Sequence, residues 1–209
     1  MSRTGTTQSP DWKDGFLFLG NHLALDFLNT RPVMKGEAME LLPDFDALLR
    51  WFRAAGLLSS SESASLWQRW GESARARNTV KAMQDLRERL RKGIHSWERD
   101  AGVRHSTITD LNRLLAVHPM RTRLKASGRG TEQYFQPQQP EDLFTPLAYS
   151  AATLFANADP RRARKCDQCV LHFYDTSKKG TRRWCSMRIC GNRKKVAAYA
   201  IRQRMRHRR

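Results

Sequence analysis

Four cysteines carry the clearest chemistry in this 209-residue chain, and all fall in its last quarter: Cys166, Cys169, Cys185 and Cys190. They read C-D-Q-C, fifteen residues, then C-S-M-R-I-C. A C-x2-C pair and a C-x4-C pair at this separation match a four-thiolate zinc site, because each short pair bends around one ion and the stretch between has room for a small hairpin. Two disulfides would use the same residues. Disulfide-dense small domains belong to secreted proteins, however, and the polar first fifteen residues lack the apolar core of a signal peptide. Four sulfurs complete a tetrahedron and leave no position for water or substrate, so the expected cofactor is one structural Zn2+. His172, three residues after Cys169, would be surplus to that set.

The elements that must position the sulfurs follow from the residues around them. Val170 to Tyr174 is β-prone, Asp175 to Gly180 is turn-rich, and Thr181 to Trp184 suits a returning strand. From about Gly191 to Met205 the chain is helix-compatible, with Val196, Tyr199 and Ala200 on one side, expected against the hairpin. Gly191 and Asn192 suit unusual backbone dihedrals after Cys190. Knuckle, β-hairpin and helix make a treble-clef-like zinc finger. A unit this small buries too little apolar surface to fold without its metal.

Charge separates the finger from the rest. The chain carries a formal +18, and from residue 161 onward there are 17 Lys/Arg against two acids. Such a localised field points to a polyanion, first of all double-stranded DNA, while the same charge also suits structured RNA. The expected phosphate contacts are Lys178, Lys179, Arg182 and Arg183 on the hairpin and Arg188 in the second knuckle. Arg193, Lys194 and Lys195 open the last helix, and Arg202 begins the basic tail. Blocks of like charge also serve as plain solvating tails.

Trp184-Cys185-Ser186-Met187 followed by Cys190-Gly191-Asn192-Arg193 resembles the signature of the CGNR zinc-finger family of bacterial proteins, and Phe173 to Ser177 fits that family's F-x-D-T-S segment. Near the other end, Leu23 to Thr30 resembles the L-A-L-D-F-x-N-T motif that opens the ABATE domain of the same family. The resemblance implies a stress-linked transcription regulator with a regulatory N-terminal domain. Within that motif Asp26 and Asn29, with His22 beside them, are polar residues in an apolar neighbourhood. They are candidates for binding a small polar effector; the alternative is that they cap or hydrogen-bond nearby backbone.

In order along the chain, residues 1–14 read as a flexible leader, 15–158 as a mostly helical domain, and 161–209 as the finger. Phe16 to Leu19 suits a short buried strand, and Asn21 to Thr30 a helix. Phe45, Leu48, Leu49 and Phe52 form an apolar stripe at i, i+3, i+4, i+7, with Gly56 at its stop. Ser59 to Glu62 reads as a capping box. A long helix is expected from about Ser73 to Arg99, its Arg- and Glu-rich face solvated. Another begins near Thr107, and a small-residue helix near Pro146. Arg121 to Ser127 and Thr131 to Gln136 alternate like a β-hairpin around Gly128-Arg129-Gly130, and residues 157–160 form the natural joint to the finger. The expected class is therefore α+β. No Gly-rich phosphate loop, H-E-x-x-H or G-x-S-x-G is present, so no enzyme is expected. The most apolar run, Phe16 to Leu28, is too short and too interrupted to span a bilayer, which makes the cytoplasm the expected compartment. A protein-interaction module that uses zinc only as a staple is the remaining rival to a DNA- or RNA-binding protein.

Overall fold

The computed structural model describes residues 11–34, 36–99, 102–192, 195–196, 199–200 and 203. Its core is built from α1 (Leu23–Leu28), α2 (Phe45–Ala54), α3 (Ser60–Trp70), α4 (Ala74–Glu98), α5 (His105–Val117) and α6 (Phe144–Asn157). The strands form four separate antiparallel pairs: β1 (Trp12–Lys13) with β2 (Phe16–Leu17), β3 (Val33–Met34) with β4 (Glu37–Ala38), β5 (Thr122–Ser127) with β6 (Gly130–Phe135), and β7 (Ala163–Lys165) with β8 (His172–Tyr174). This is the expected α+β fold, mostly helical, with a C-terminal finger whose four cysteines cluster.

The apolar periodicity explains the helices. Phe45, Leu48, Leu49 and Phe52 are all buried, and Asp44 caps α2 by accepting from the Ala47 N–H at 2.8 Å. Ser59 and Glu62 make the capping box of α3, each bonding the other's backbone N–H. α1 is short, but it is the hub: Ala24 to Leu28 are buried, and the helix packs against α4, α6 and β8.

Three features depart from expectation. Residues 11–14 are not a loose leader, because Trp12–Lys13 pairs with Phe16–Leu17 through Asp14-Gly15, both in the left-handed region at φ 49° and 82°. Positive φ at both turn residues is the two-residue hairpin geometry that matches strand twist. Arg87 shares the helical stripe of Met83, Leu90 and Ile94, although the Arg side chains of α4 are expected in solvent, and it is only 1 % exposed. Its guanidinium holds both carboxylate oxygens of Glu40, the Thr30 hydroxyl at 2.8 Å and Glu88 at 3.3 Å. Burial of that charge is tolerated because every edge of the fork has an acceptor. Finally, residues 181–184 form no strand: β8 pairs instead with β7, upstream of the first cysteine pair.

Candidate metal centre and the seam that holds it

The first cysteine pair sits in the turn between β7 and β8, which brings Cys166 and Cys169 to one end of that ribbon. The second pair spans a wide, π-type turn of helix at Met187–Gly191, with Cys185 ahead of it and Cys190 within it; Ser186 caps the turn, its hydroxyl accepting from the Ile189 N–H. Between the pairs, the chain folds around Asp175. This fully buried carboxylate accepts from the Ser177 N–H at 2.9 Å and the Arg182 N–H at 2.7 Å. Burial alone would raise its pKa, yet these hydrogen bonds and the nearby Arg164 hold it below the usual carboxylate value. Loop closure by this side chain replaces the strand expected at 181–184.

The four sulfurs lie within 4.8 Å of one another. Cys169 to Cys185 is 3.6 Å, Cys185 to Cys190 is 3.7 Å, and Cys190 to Cys169 is 3.7 Å. A Zn–S bond of about 2.3 Å makes each edge of a tetrahedron about 3.8 Å, whereas a disulfide needs about 2.05 Å. Crowding also splits the thiols. Mutual sulfur hydrogen bonds push Cys166 far down and Cys185 far up. Cys169 rises to about 12, chiefly through its bond with Cys166, and burial is the main cause of the rise at Cys190. Four thiolates packed this closely repel one another, so together they call for a divalent cation. The donor set therefore fits one structural Zn2+, held by Cys166, Cys169, Cys185 and Cys190. His172 is outside the cluster: its Nδ1 meets Glu98 of α4 at 2.7 Å, with both side chains buried.

The rest of the finger leans on the helical domain. Its small core comprises Cys166, Leu171, Phe173, Cys185 and Cys190, completed by Leu17 and Leu19, with Trp12, Trp184 and Ile189 packed against it. Asp11 accepts from Ser186 Oγ at 3.0 Å and pairs with Arg188 at 2.9 Å, tying the second knuckle to the same segment. One edge of β8 pairs with β7, and the other edge is taken entirely by the residues around α1. The His172 N–H donates to Asn29 Oδ1 and its carbonyl accepts from Asn29 Nδ2, both at 2.9 Å. Two residues on, the Tyr174 N–H donates to the Gly20 carbonyl at 2.8 Å and its own carbonyl accepts from Asn21 Nδ2 at 2.9 Å. A strand edge that would otherwise be open is thereby closed.

Two backbone features make that seam. Gly20 is squeezed against α1, so an added Cβ would stand 2.8 Å from both the Asp26 nitrogen and Leu25 Cβ. Asn21 takes a left-handed φ of 55°, a conformation Asn tolerates better than most residues. Asp26 accepts from the Gly20 N–H at 2.7 Å, and burial lifts its carboxyl to about 7 despite that bond. His22 Nδ1 lies 3.1 Å from Ser150 Oγ, and burial lowers its pKa. Both polar ends of the Asn29 amide are thus spent on the finger's backbone. Of the two readings of Asp26 and Asn29, hydrogen bonding to backbone is the geometry present. The signal that the partner of Asn29 is 143 residues away is not local.

This chain belongs to the ABATE family. The family model, described as a "putative stress-induced transcription regulator", matches residues 21–158, and the CGNR zinc-finger model matches residues 162–203. No curated protein gives a significant match. Residues 11–20, which supply Leu17, Leu19 and the Gly20 carbonyl to the finger, precede both matched regions.

The basic residues of the CGNR finger separate into groups. Lys178 and Lys179 are exposed and, among the described residues, have no hydrogen-bond or ion-pair partner; Lys195 is exposed as well. Arg183 is exposed but pairs with Asp167 at 2.7 Å. Arg188 is half-exposed beside Asp11. Arg182 turns inward, its guanidinium bonding the Trp184 and Cys185 carbonyls and lying over the Phe173 ring. Arg193, Lys194 and Arg202 lie outside the described residues. Val196 and Tyr199 do not cover the hairpin, since they are 67 % and 58 % exposed; the miniature core is already filled from the N-terminal side. Gly191 and Asn192 keep ordinary dihedrals, and the space a Cβ would take at Gly191 is filled by Met187. Among the described residues, no helix is long and apolar enough to cross a membrane.

Proposed function

We propose that this zinc-binding regulator acts by binding double-stranded DNA through the finger, with the helical domain as a rigid mount. The observation that carries the reading is the placement of charge. Seventeen of the chain's 38 Lys/Arg lie from residue 161 onward, against two acids. Both acids are engaged inside the finger, Asp167 with Arg183 and Asp175 with backbone N–H groups. Lys178, Lys179, Arg183 and Lys195 are then the described candidates for phosphate contacts. Each neutralised phosphate releases counterions and so contributes to affinity without sequence choice. Zinc supplies no chemistry to a substrate in this reading; it fixes the shape of the positive surface. Asp26 and Asn29 serve the seam between domain and finger rather than an effector pocket, and His22 bonds Ser150 within the helical domain.

The test uses full-length, zinc-loaded protein and a labelled random duplex titrated across a salt series. Affinity should fall with a log–log slope of about 0.9 per phosphate neutralised, and chelation should abolish the binding as the finger loses its metal-dependent fold. A flat salt dependence overturns DNA binding. Tighter binding to a folded RNA at matched salt replaces DNA with RNA as the partner.

A further inference from the structure

The β5–β6 hairpin stands apart from everything the finger accounts for. All six residues of β5 are exposed, as are the first four of β6, and only Phe135 at its base enters the core. An isolated two-stranded ribbon is marginal in water, because neither face is covered. Its residues therefore have to be explained by something other than packing.

Their chemistry is one-sided. Register pairs Arg123 with Tyr134 and Lys125 with Glu132, while the Gln136 N–H bonds the Arg121 carbonyl. Side chains directly across an antiparallel pair share a face, so Arg121, Arg123 and Lys125 line one face in a row. Arg129 occupies the tip, after Gly128 at φ 58° turns the chain. Lys125 meets Glu132 at 3.5 Å and lies over the Tyr134 ring. The side chains of Arg121, Arg123 and Arg129 are exposed and, among the described residues, have no hydrogen-bond or ion-pair partner. The opposite face carries Thr122, Leu124, Thr131 and Gln133, with Leu124 70 % exposed.

We infer that this ribbon is a second DNA-contacting element, inserted into the major groove beside the finger's own contact. The inference rests on the DNA reading above and deepens it. Three observations favour duplex DNA as the occupant. Glu132 pairs with Lys125 and Glu62 lines the same cleft, while the Arg121, Arg123 and Arg129 side chains have no acidic partner among the described residues, which fits a partner that is uniformly negative. A B-form major groove about 12 Å wide admits a two-stranded ribbon, and six residues reach about 20 Å at strand rise. Position also fits. Just past the ribbon's base, Gln139 and Glu141 are held by Arg75 near the start of α4, while the finger's His172 is held by Glu98 at its end. Those anchors are about 35 Å apart at helical rise, close to the one-turn repeat of the duplex, about 34–36 Å. Cations on the ribbon face position it against phosphates, and the Thr and Gln side chains of the other face supply polar groups for base edges.

The experiment compares full-length zinc-loaded wild type with R121Q/R123Q/R129Q on a 30-base-pair random duplex across a salt series. These three arginines hold nothing else in place, so circular dichroism and melting should match wild type. Affinity at moderate salt should drop at least tenfold, and the log–log slope should shrink by about 2 to 3, at about 0.9 per phosphate. Glu132→Gln provides the opposite sign: loss of the one acid on that face should tighten binding several-fold, a gain that a damaged hairpin does not produce. Wild-type affinity and slope in the triple variant, with wild type itself binding in a salt-dependent way, overturn the ribbon contact alone. Absence of salt-dependent binding in wild type overturns the ribbon contact together with the DNA reading.

Discussion

Substitution of Asn29 by Ala is the most direct probe of whether the finger is clamped or merely tethered. The Asn29 side chain is 1 % exposed, and its amide makes two 2.9 Å hydrogen bonds to the His172 backbone. Ala removes both partners and leaves an N–H and a carbonyl of β8 unsatisfied in a buried strip. Each orphaned group costs about 1–3 kcal/mol, so the pair should cost about 2–6 kcal/mol, or about 4–24 °C in Tm for a chain of this size. The assay has two arms on full-length zinc-loaded protein: thermal denaturation followed by circular dichroism, and zinc release timed with a colorimetric chelator. Both should respond, because β8 follows the first cysteine pair directly and loosening its edge exposes the sulfurs. Asn29→Asp keeps an acceptor for the His172 N–H but sets a carboxylate oxygen against the His172 carbonyl, and should cost at least as much. A lower Tm with zinc release unchanged would mean that Asn29 stabilises the helical domain alone, and the clamp argument fails.

Asp26→Asn should change how stability depends on pH. The buried carboxyl is lifted from 3.8 to about 7, chiefly by desolvation, so the folded state holds a proton that the unfolded chain releases. The contribution is full below pH ~4 and is lost as pH rises through ~7. Asn keeps an oxygen for the Gly20 N–H, so between pH 5 and 8 the variant should gain roughly 3 kcal/mol relative to wild type in denaturant titrations; parallel pH profiles would refute the assignment. Leu17→Ala should accelerate zinc loss while leaving most helical signal intact, at a cost of about 2–5 kcal/mol, because Leu17 packs in the finger's core and not in the helical one. Unchanged metal retention would show that the finger does not need the N-terminal segment.

The metal site was fully legible in the sequence because its information is local: the spacing of four donors fixes what they can enclose. Helices with a sustained stripe were legible for the same reason, and the Ser59–Glu62 box and the α2 stripe stand where periodicity puts them. Short strands escaped. β1, β3 and β4 have two residues each, too few for alternation to register, whereas β2 lies within the strand expected at Phe16 to Leu19. The partner of β8 was misassigned because a turn-rich stretch reads like a hairpin loop, whereas Asp175 closes that loop with side-chain bonds instead. Burial of Arg87 was hidden by its residue type, although its spacing puts it on the apolar stripe of α4, because its acceptors, Glu40 and Thr30, come from a distant segment. Polar residues in the α1 motif announced that something was bonded, and the sequence carries no sign that the partner is the finger's backbone.

That partnership limits how a signal can reach the finger. Residues 157–160 look like a joint, yet the Asp159 N–H donates to Tyr174 Oη at 3.1 Å and its carboxylate caps the next turn. With Leu17 and Leu19 completing the finger's core and Gly20, Asn21 and Asn29 closing its edge, rotation about the linker would break four strand-edge hydrogen bonds and expose apolar surface at once. Free swinging of the finger is therefore too costly to be the regulated motion. The seam is where a modest change in the helical domain acts most strongly, because α1 and the end of α4 touch β8 directly, through Asn29 and through Glu98 on His172. A signal that shifts either helix alters the set of the metal-bound ribbon and, with it, the placement of every cation the finger presents.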